Sequence, residues 1–189
     1  MKSAYSGSLK GLLLVAMPVL ADPNFNKSVT CICEHDGGGA LGIIVNRPDP
    51  TLRGRDIFSE LSMAFTPAAG AIPIHIGGPV HANEVFILHG PPFDWEGCHL
   101  ITATMAMSNT PDILQSIAAG KGPADYLVSL GCAGWGGGQL EAELKENTWL
   151  TSRIYEDAVF KREPDNRWKK VLQKNGINPT GLSSTAGHA

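Results

Sequence analysis

The stretch Cys31–Pro48, CICEHDGGGALGIIVNRP, constrains the fold more than any other part of the chain. Two apolar runs, Ser28–His35 and Ala40–Val45, flank Asp36-Gly37-Gly38-Gly39, and an Asp/Gly turn between such runs signals a β-hairpin. Ile43-Ile44-Val45 is continuous and β-branched, as suits a strand covered on both faces. Two strands are not stable alone in water, so the rest of the chain must cover them. The strand period of two puts Val29, Cys31, Cys33 and His35 on one face, with Thr30, Ile32 and Glu34 on the other.

A chain of 189 residues can bury a real core, and a single domain, or two interleaved lobes, is expected. Hydrophobic residues at 43% and charged residues at 17% describe a globular protein, and a net charge of −3 gives no general attraction to nucleic acid or anionic membrane. Cys31, Cys33, Cys98 and Cys132 are expected to be free and buried, since a core of this size needs no disulfide staples. Lys2 and Lys10 before Leu12–Leu20 imitate a secretory leader. That run is too short to span a bilayer, and its Met17-Pro18 break suits a buried strand, Leu12–Met17, ending in a turn. A cytoplasmic setting is expected.

Along the chain, Asp22-Pro23-Asn24-Phe25 reads as a capped turn with Phe25 tucked inward. Pro48 and Pro50 mark a loop. Ile57, Leu61 and Phe65, with Phe58, give Arg55–Phe65 the spacing of an amphipathic helix, and Thr66–Gly70 reads as a linker. Ile72–Ile76, Val85–Leu88, Cys98–Thr102 and Tyr126–Leu130 are strand candidates. Helices are expected from Thr110-Pro111 to Gly120, over Gln139–Asn147, and over Asp165–Lys174, with Trp168 as the last helix's anchor. The tail Thr180–Ala189 is small and polar and reads as loose. Paired strands with irregularly interspersed helices predict an α+β fold, a mixed and largely antiparallel sheet with flanking helices.

The segments LLLVAMP, ADPNF, S-V-x-x-I-C-E-H, G-x-x-GIIVNRP, GGPV, FILH, LG-x-AGW-x-x-GQLE-x-E, N-x-WL and the terminal AGHA follow one another in an order that resembles the bacterial AlgH/YqgE family. The resemblance runs over nearly the whole chain. It implies an α+β fold and a cytoplasmic setting, but no reaction, because the family carries no agreed activity; its founding name links it to regulation of alginate genes. Cys31 and Cys132 stand where the family leads one to expect an aromatic residue, commonly Tyr, whereas Cys33 falls on the family's own cysteine position.

Several constellations invite chemistry. Cys31, Cys33 and His35 with Cys98 or Cys132 could hold zinc, but no C-x2-C or H-x3-H spacing is present, so neither metal nor cofactor is expected. Cys33 could act as a nucleophile with His35 or His89 as base, in redox or thiol-hydrolase chemistry, although its place among apolar residues argues for a buried, raised-pKa thiol. Gly131–Gln139 has the strand–glycine loop–helix layout of a phosphate site but lacks the required motif. Neither G-x-S-x-G nor S-x-x-K occurs. Lys161, Arg162, Arg167, Lys169, Lys170 and Lys174 form a basic run that either touches nucleic acid or is a solvated helix face. What remains is a set of polar and turn residues at strand ends: Asp22, Asn46, Arg47, Pro48, Gly77, Gly78, Pro79, His89, Trp135 and Gln139. The leading expectation is a non-enzymatic regulatory protein whose cleft, built from these, takes a small ligand or a partner segment. The structural alternative is that Arg47 pairs internally with Asp22 or Glu34 and the glycines only turn the chain.

Overall fold

A computed structural model of the chain describes residues 7–160 and 164–182. The strands are β1 (Leu12–Ala16), β2 (Val29–Asp36), β3 (Gly39–Ile44), β4 (Pro48–Arg53), β5 (Pro73–Ile76), β6 (Val80–His89), β7 (His99–Leu100), β8 (Ala106–Ser108), β9 (Tyr126–Gly136) and β10 (Trp149–Arg153). The helices are α1 (Gly54–Glu60), α2 (Pro67–Gly70), α3 (Pro111–Ala118), α4 (Gln139–Lys145), α5 (Glu156–Phe160) and α6 (Arg167–Lys174), with a 3-10 turn at Pro23–Phe25. The strands run β10-β1-β2-β3-β9-β6-β8-β7 across one sheet, antiparallel throughout that path, with β4 and β5 attached beside it. The β5–β9 pair is parallel, which makes the sheet mixed. The α+β expectation holds.

Alternation along the strands sends side chains to two covered faces. Leu13, Val15, Val29, Cys31, Ile43 and Val45 pack beneath Val159, Trp168, Val171 and Leu172 of α5 and α6. Leu14, Ala16, Ile32, Ala133 and Trp135 pack beneath Leu140 and Leu144 of α4. A third cluster joins Phe58, Ala69, Ile113, Leu114 and Ile117 of α1 to α3 with Ile74, Ile87 and Val128. Trp168 is the expected anchor, its indole N–H donating to the Ala16 carbonyl at 2.8 Å.

β9 is the hub. One edge is shared by β3, opposite its C-terminal half, and β5, opposite its N-terminal half; β6 takes the other edge. Because β5 and β6 are consecutive, Gly77 and Gly78 must carry the chain over β9. A Cβ on Gly78 would stand 2.3 Å from the Cys132 carbonyl carbon, and one on Gly131 2.5 Å from the Gly78 oxygen, so this crossing requires glycine on both sides.

Several local expectations change. Pro48–Arg53 is a short strand at the sheet's margin, where proline costs no ladder bond, rather than a loop. The helix expected over Arg55–Phe65 stops at Glu60: Phe58 is buried, but Leu61 and Phe65 are 47% and 39% exposed. Thr66–Gly70 is a helical turn capped by Thr66 rather than a linker. Gly131–Gly136 continues β9 instead of forming a loop. The strands β8 and β10 and the helix α5 carry too few periodic residues to announce themselves. Lys161, Arg162 and most of the tail expected to be loose, residues 183–189, lie outside the described residues.

Candidate functional site

The Asn46-Arg47 pair that ends β3 acts on the connection between β1 and β2. Asn46 Oδ1 accepts from the Val29 amide at 2.7 Å and its Nδ2 donates to the Lys27 carbonyl at 2.8 Å. The Arg47 guanidinium donates through Nη1 to the Asn24 carbonyl and through Nη2 to the Asn26 carbonyl, the latter at 3.1 Å. Asp22 Oδ1 caps the same turn, accepting from the Asn24 amide at 2.8 Å. Arg47 is therefore held internally, but by two carbonyl oxygens rather than by Asp22 or Glu34.

The turn so fixed presents Phe25, whose ring lies 5.9 Å from Trp135 and 5.4 Å from Trp149. Both indole N–H groups donate to one oxygen, Glu143 Oε2, at 3.0 and 2.7 Å. Gln139 Nε2 donates to Glu143 Oε1 at 2.9 Å while its own carbonyl accepts from the Gly136 amide at 3.0 Å. Among the described residues no cation lies within ion-pair distance of Glu143. Ring separations of 5.4–5.9 Å are those of packed aromatics, leaving no gap for a ligand between the rings. Asp22, Asn46, Arg47, Trp135 and Gln139 thus belong to one connected network. Glu143 and Trp149 are the members that sequence reasoning missed; the one available signal was Glu143 lying one helical turn after Gln139.

Pro48, Gly77 and Gly78 adjoin this network through the backbone, the Ile76 amide donating to the Arg47 carbonyl at 2.8 Å and the Ile44 amide to the Gly77 carbonyl at 2.9 Å. Pro79 is exposed beside them. A surface hollow of about 360 Å³ opens elsewhere, against β10 and α6, lined by Leu12, Thr151, Ser152, Arg153, Tyr155 and Asn175.

The pairing of Cys33 with His35 does not occur. Ile32 faces Gly42 and Glu34 faces Leu41, so Cys33 is the extra residue of a β-bulge and the alternation shifts beyond it. Cys33 stays in the α5–α6 core, 1% exposed, its thiol pushed well above the ordinary range by burial and donating to the Cys31 carbonyl at 3.6 Å. His35 falls on the opposite face: its Nδ1 accepts from the Leu9 amide at 3.0 Å, which leaves Nε2 to donate to Glu141 at 3.0 Å. No group of three metal-ligating side chains is present among the described residues.

His89 is separate from the network around Glu143 and is fully buried at the end of β6. Its Nδ1 lies 2.7 Å from the Gly90 carbonyl and its Nε2 2.9 Å from Ser108 Oγ, with Cys98 Sγ 4.0 Å from the same Nε2. The thiol that reaches His89 is Cys98, not Cys33. In the basic run, Arg167 is buried with its Nη1 donating to the Val45 carbonyl, and Lys174 pairs with Asp157 at 2.9 Å. One of the six charges is thus buried in the fold and a second is paired at the surface.

Residues 13–180 match the AlgH-like family, DUF179. The chain belongs to that family. It is 46% identical over 184 residues to a UPF0301 protein of Desulforapulum autotrophicum, covering 97% of each chain. A UPF0301 protein of Cereibacter sphaeroides is 41% identical over 182 residues, covering 96% of this chain and 99% of its own. The solution structure of the AlgH protein from Pseudomonas aeruginosa superposes with a TM-score of 0.80 at 40% identity, over 100% of both chains. The crystal structure of a Corynebacterium diphtheriae protein shares the fold, with a TM-score of 0.73 at 19% identity over 94% of this chain and 91% of that one. The family has no established biochemical activity. No helix among the described residues is long and apolar enough to cross a membrane.

Proposed function

We propose that this family member is a non-enzymatic regulatory protein of the cytoplasm that binds an apolar segment of a partner protein at the connection between β1 and β2. What supports this is a surface that is at once apolar, exposed and rigid. Val19 is 40% exposed, and Leu20 and Phe25 are only partly buried where they pack on the Trp135–Trp149 cluster. Arg47 and Asn46 hold the same connection in one conformation by four hydrogen bonds. A loop fixed before binding loses little entropy on association, which is how a small contact area reaches useful affinity. The four free cysteines suit a reducing compartment.

A photoreactive residue in place of Val19, introduced in the native host, tests the proposal against one in place of Leu100, which is 52% exposed at the far end of the sheet. Position 19 should crosslink to one defined protein, position 100 should not, and Arg47→Ala should remove the adduct. Identical adducts from both positions, or none from position 19, would overturn it.

A further inference from the structure

His89, Ser108 and Cys98 form a second site with chemistry of its own. Nδ1 of His89 faces the Gly90 carbonyl at 2.7 Å, and a carbonyl only accepts, so Nδ1 carries the ring proton. Nε2 is therefore a lone pair. Two side chains point at it, the Ser108 hydroxyl at 2.9 Å and the Cys98 thiol at 4.0 Å. Burial lowers the pKa of His89, which keeps the imidazole neutral and able to accept a proton at neutral pH. A backbone carbonyl that fixes the tautomer, a neutral imidazole and a thiol beyond it are the parts of an activated cysteine, and such contacts are commonly long until a reactant is bound.

The two candidate nucleophiles differ in access. Ser108 is fully buried, whereas Cys98 is only partly buried. The other thiols, Cys31, Cys33 and Cys132, are no more than 1% exposed. The segment that carries Cys98 is tied down: its amide donates to the Trp95 carbonyl at 3.2 Å, and the Trp95 indole donates to the Pro92 carbonyl at 3.0 Å. Phe93 covers the imidazole, with ring centroids 6.0 Å apart.

We propose that Cys98 is a peroxide-reactive thiol, with His89 as its base and the Gly90 carbonyl as the group that orients the base. The co-reactant is a hydroperoxide, hydrogen peroxide in the simplest case. The Sγ proton passes to His89 Nε2 while the sulfur forms an S–O bond and the peroxide O–O bond breaks. The departing hydroxide takes the proton back from His89 and leaves as water. The thiol is oxidised to a sulfenic acid and the peroxide is reduced. Because Ser108 occupies the lone pair that Cys98 needs, its hydroxyl is a brake on this transfer.

The test is hydrogen peroxide treatment of the full chain at pH 7, trapping of sulfenic acid with a dimedone probe, and mapping of the adduct by mass spectrometry. The label should fall on Cys98 and on none of the other cysteines, at a rate roughly tenfold or more above that of glutathione under the same conditions. His89→Gln should slow it by roughly tenfold or more, and Ser108→Ala should speed it. Labelling of a different cysteine, a wild-type rate equal to that of glutathione, or a folded His89→Gln protein as fast as wild type would each overturn the proposal. The comparison with glutathione uses unaltered protein and decides the matter even where His89→Gln does not fold.

Discussion

The indole nitrogen of Trp168 donates to the carbonyl oxygen of Ala16 at 2.8 Å, which ties the last helix of the fold to its first strand. Trp168 is 6% exposed among Val15, Val171 and Leu172, so one side chain both fills the α5–α6 face and satisfies a strand carbonyl. Trp168→Phe should lose the donor and part of the volume, at a cost of about 1–3 kcal/mol, and Trp168→Ala about 3–5 kcal/mol. Urea unfolding followed by circular dichroism measures both; a Trp168→Phe variant as stable as wild type would show that the hydrogen bond contributes nothing.

Glu143 gathers the indole protons of Trp135 and Trp149 on one oxygen. Glu143→Leu leaves two nearly buried donors without an acceptor and should destabilise by about 2–5 kcal/mol, since each unsatisfied donor costs on the order of 1–3 kcal/mol. Glu143→Gln retains an amide oxygen and should cost less than half as much. Tryptophan fluorescence should shift to the red in the leucine variant, and an unchanged spectrum with unchanged stability would refute the role of the carboxylate.

Gly78 and Gly37 offer a contrast between close approach and open space. A Cβ at Gly78 meets the Cys132 carbonyl at 2.3 Å where the chain steps over β9, whereas at Gly37 nothing lies within 4 Å. Gly78→Ala should yield no soluble folded protein or unfold at much lower urea, because backbone cannot yield as a flexible side chain does. Gly37→Ala should stay within about 1 kcal/mol of wild type. Similar midpoints for the two variants would mean that the crossing is looser than its geometry.

His75 sets a pH dependence. Burial first, and the neighbouring positive Arg167 second, push its pKa from the ordinary 6.5 down to about 4. The unfolded chain therefore binds a proton between pH 6.5 and 4 that the folded chain refuses. Stability from this group is fully present above pH 6.5 and is lost as the pH falls toward 4, a change of about 3 kcal/mol. His75→Gln should flatten the dependence of the urea midpoint over that window; an unaltered slope would show that His75 does not titrate this way. His89, also lowered by burial, adds to the same slope.

Much of the fold could be read along the chain because it depends on local pattern. Period-two and β-branched runs mark β1, β2, β3 and β9, Asp22-Pro23 marks its turn, and Pro164 and Gly176 bracket the last helix. Where the pattern is thin it misleads. Leu61 and Phe65 keep helical spacing but lie past the end of α1, where Phe65 folds back on the Phe58 ring at 5.7 Å and Leu61 stays exposed. The β8 and β10 strands exist because neighbours supply their hydrogen bonds, not because their own residues insist on it.

The chain alone determined the hairpin at Cys31–Pro48, the α+β class, and the buried thiols at Cys31, Cys33 and Cys132, and it singled out Asn46, Arg47 and Trp135. Only the tertiary structure decided what those residues touch. One inserted residue at Cys33 turned His35 away from it toward Glu141. Pairing of β6 with β8 brought Ser108 to His89, and the connection from β6 to β7 brought Cys98 to the same ring. Residues far apart in sequence meet according to strand register and crossing, and neither is written in the spacing of any single segment.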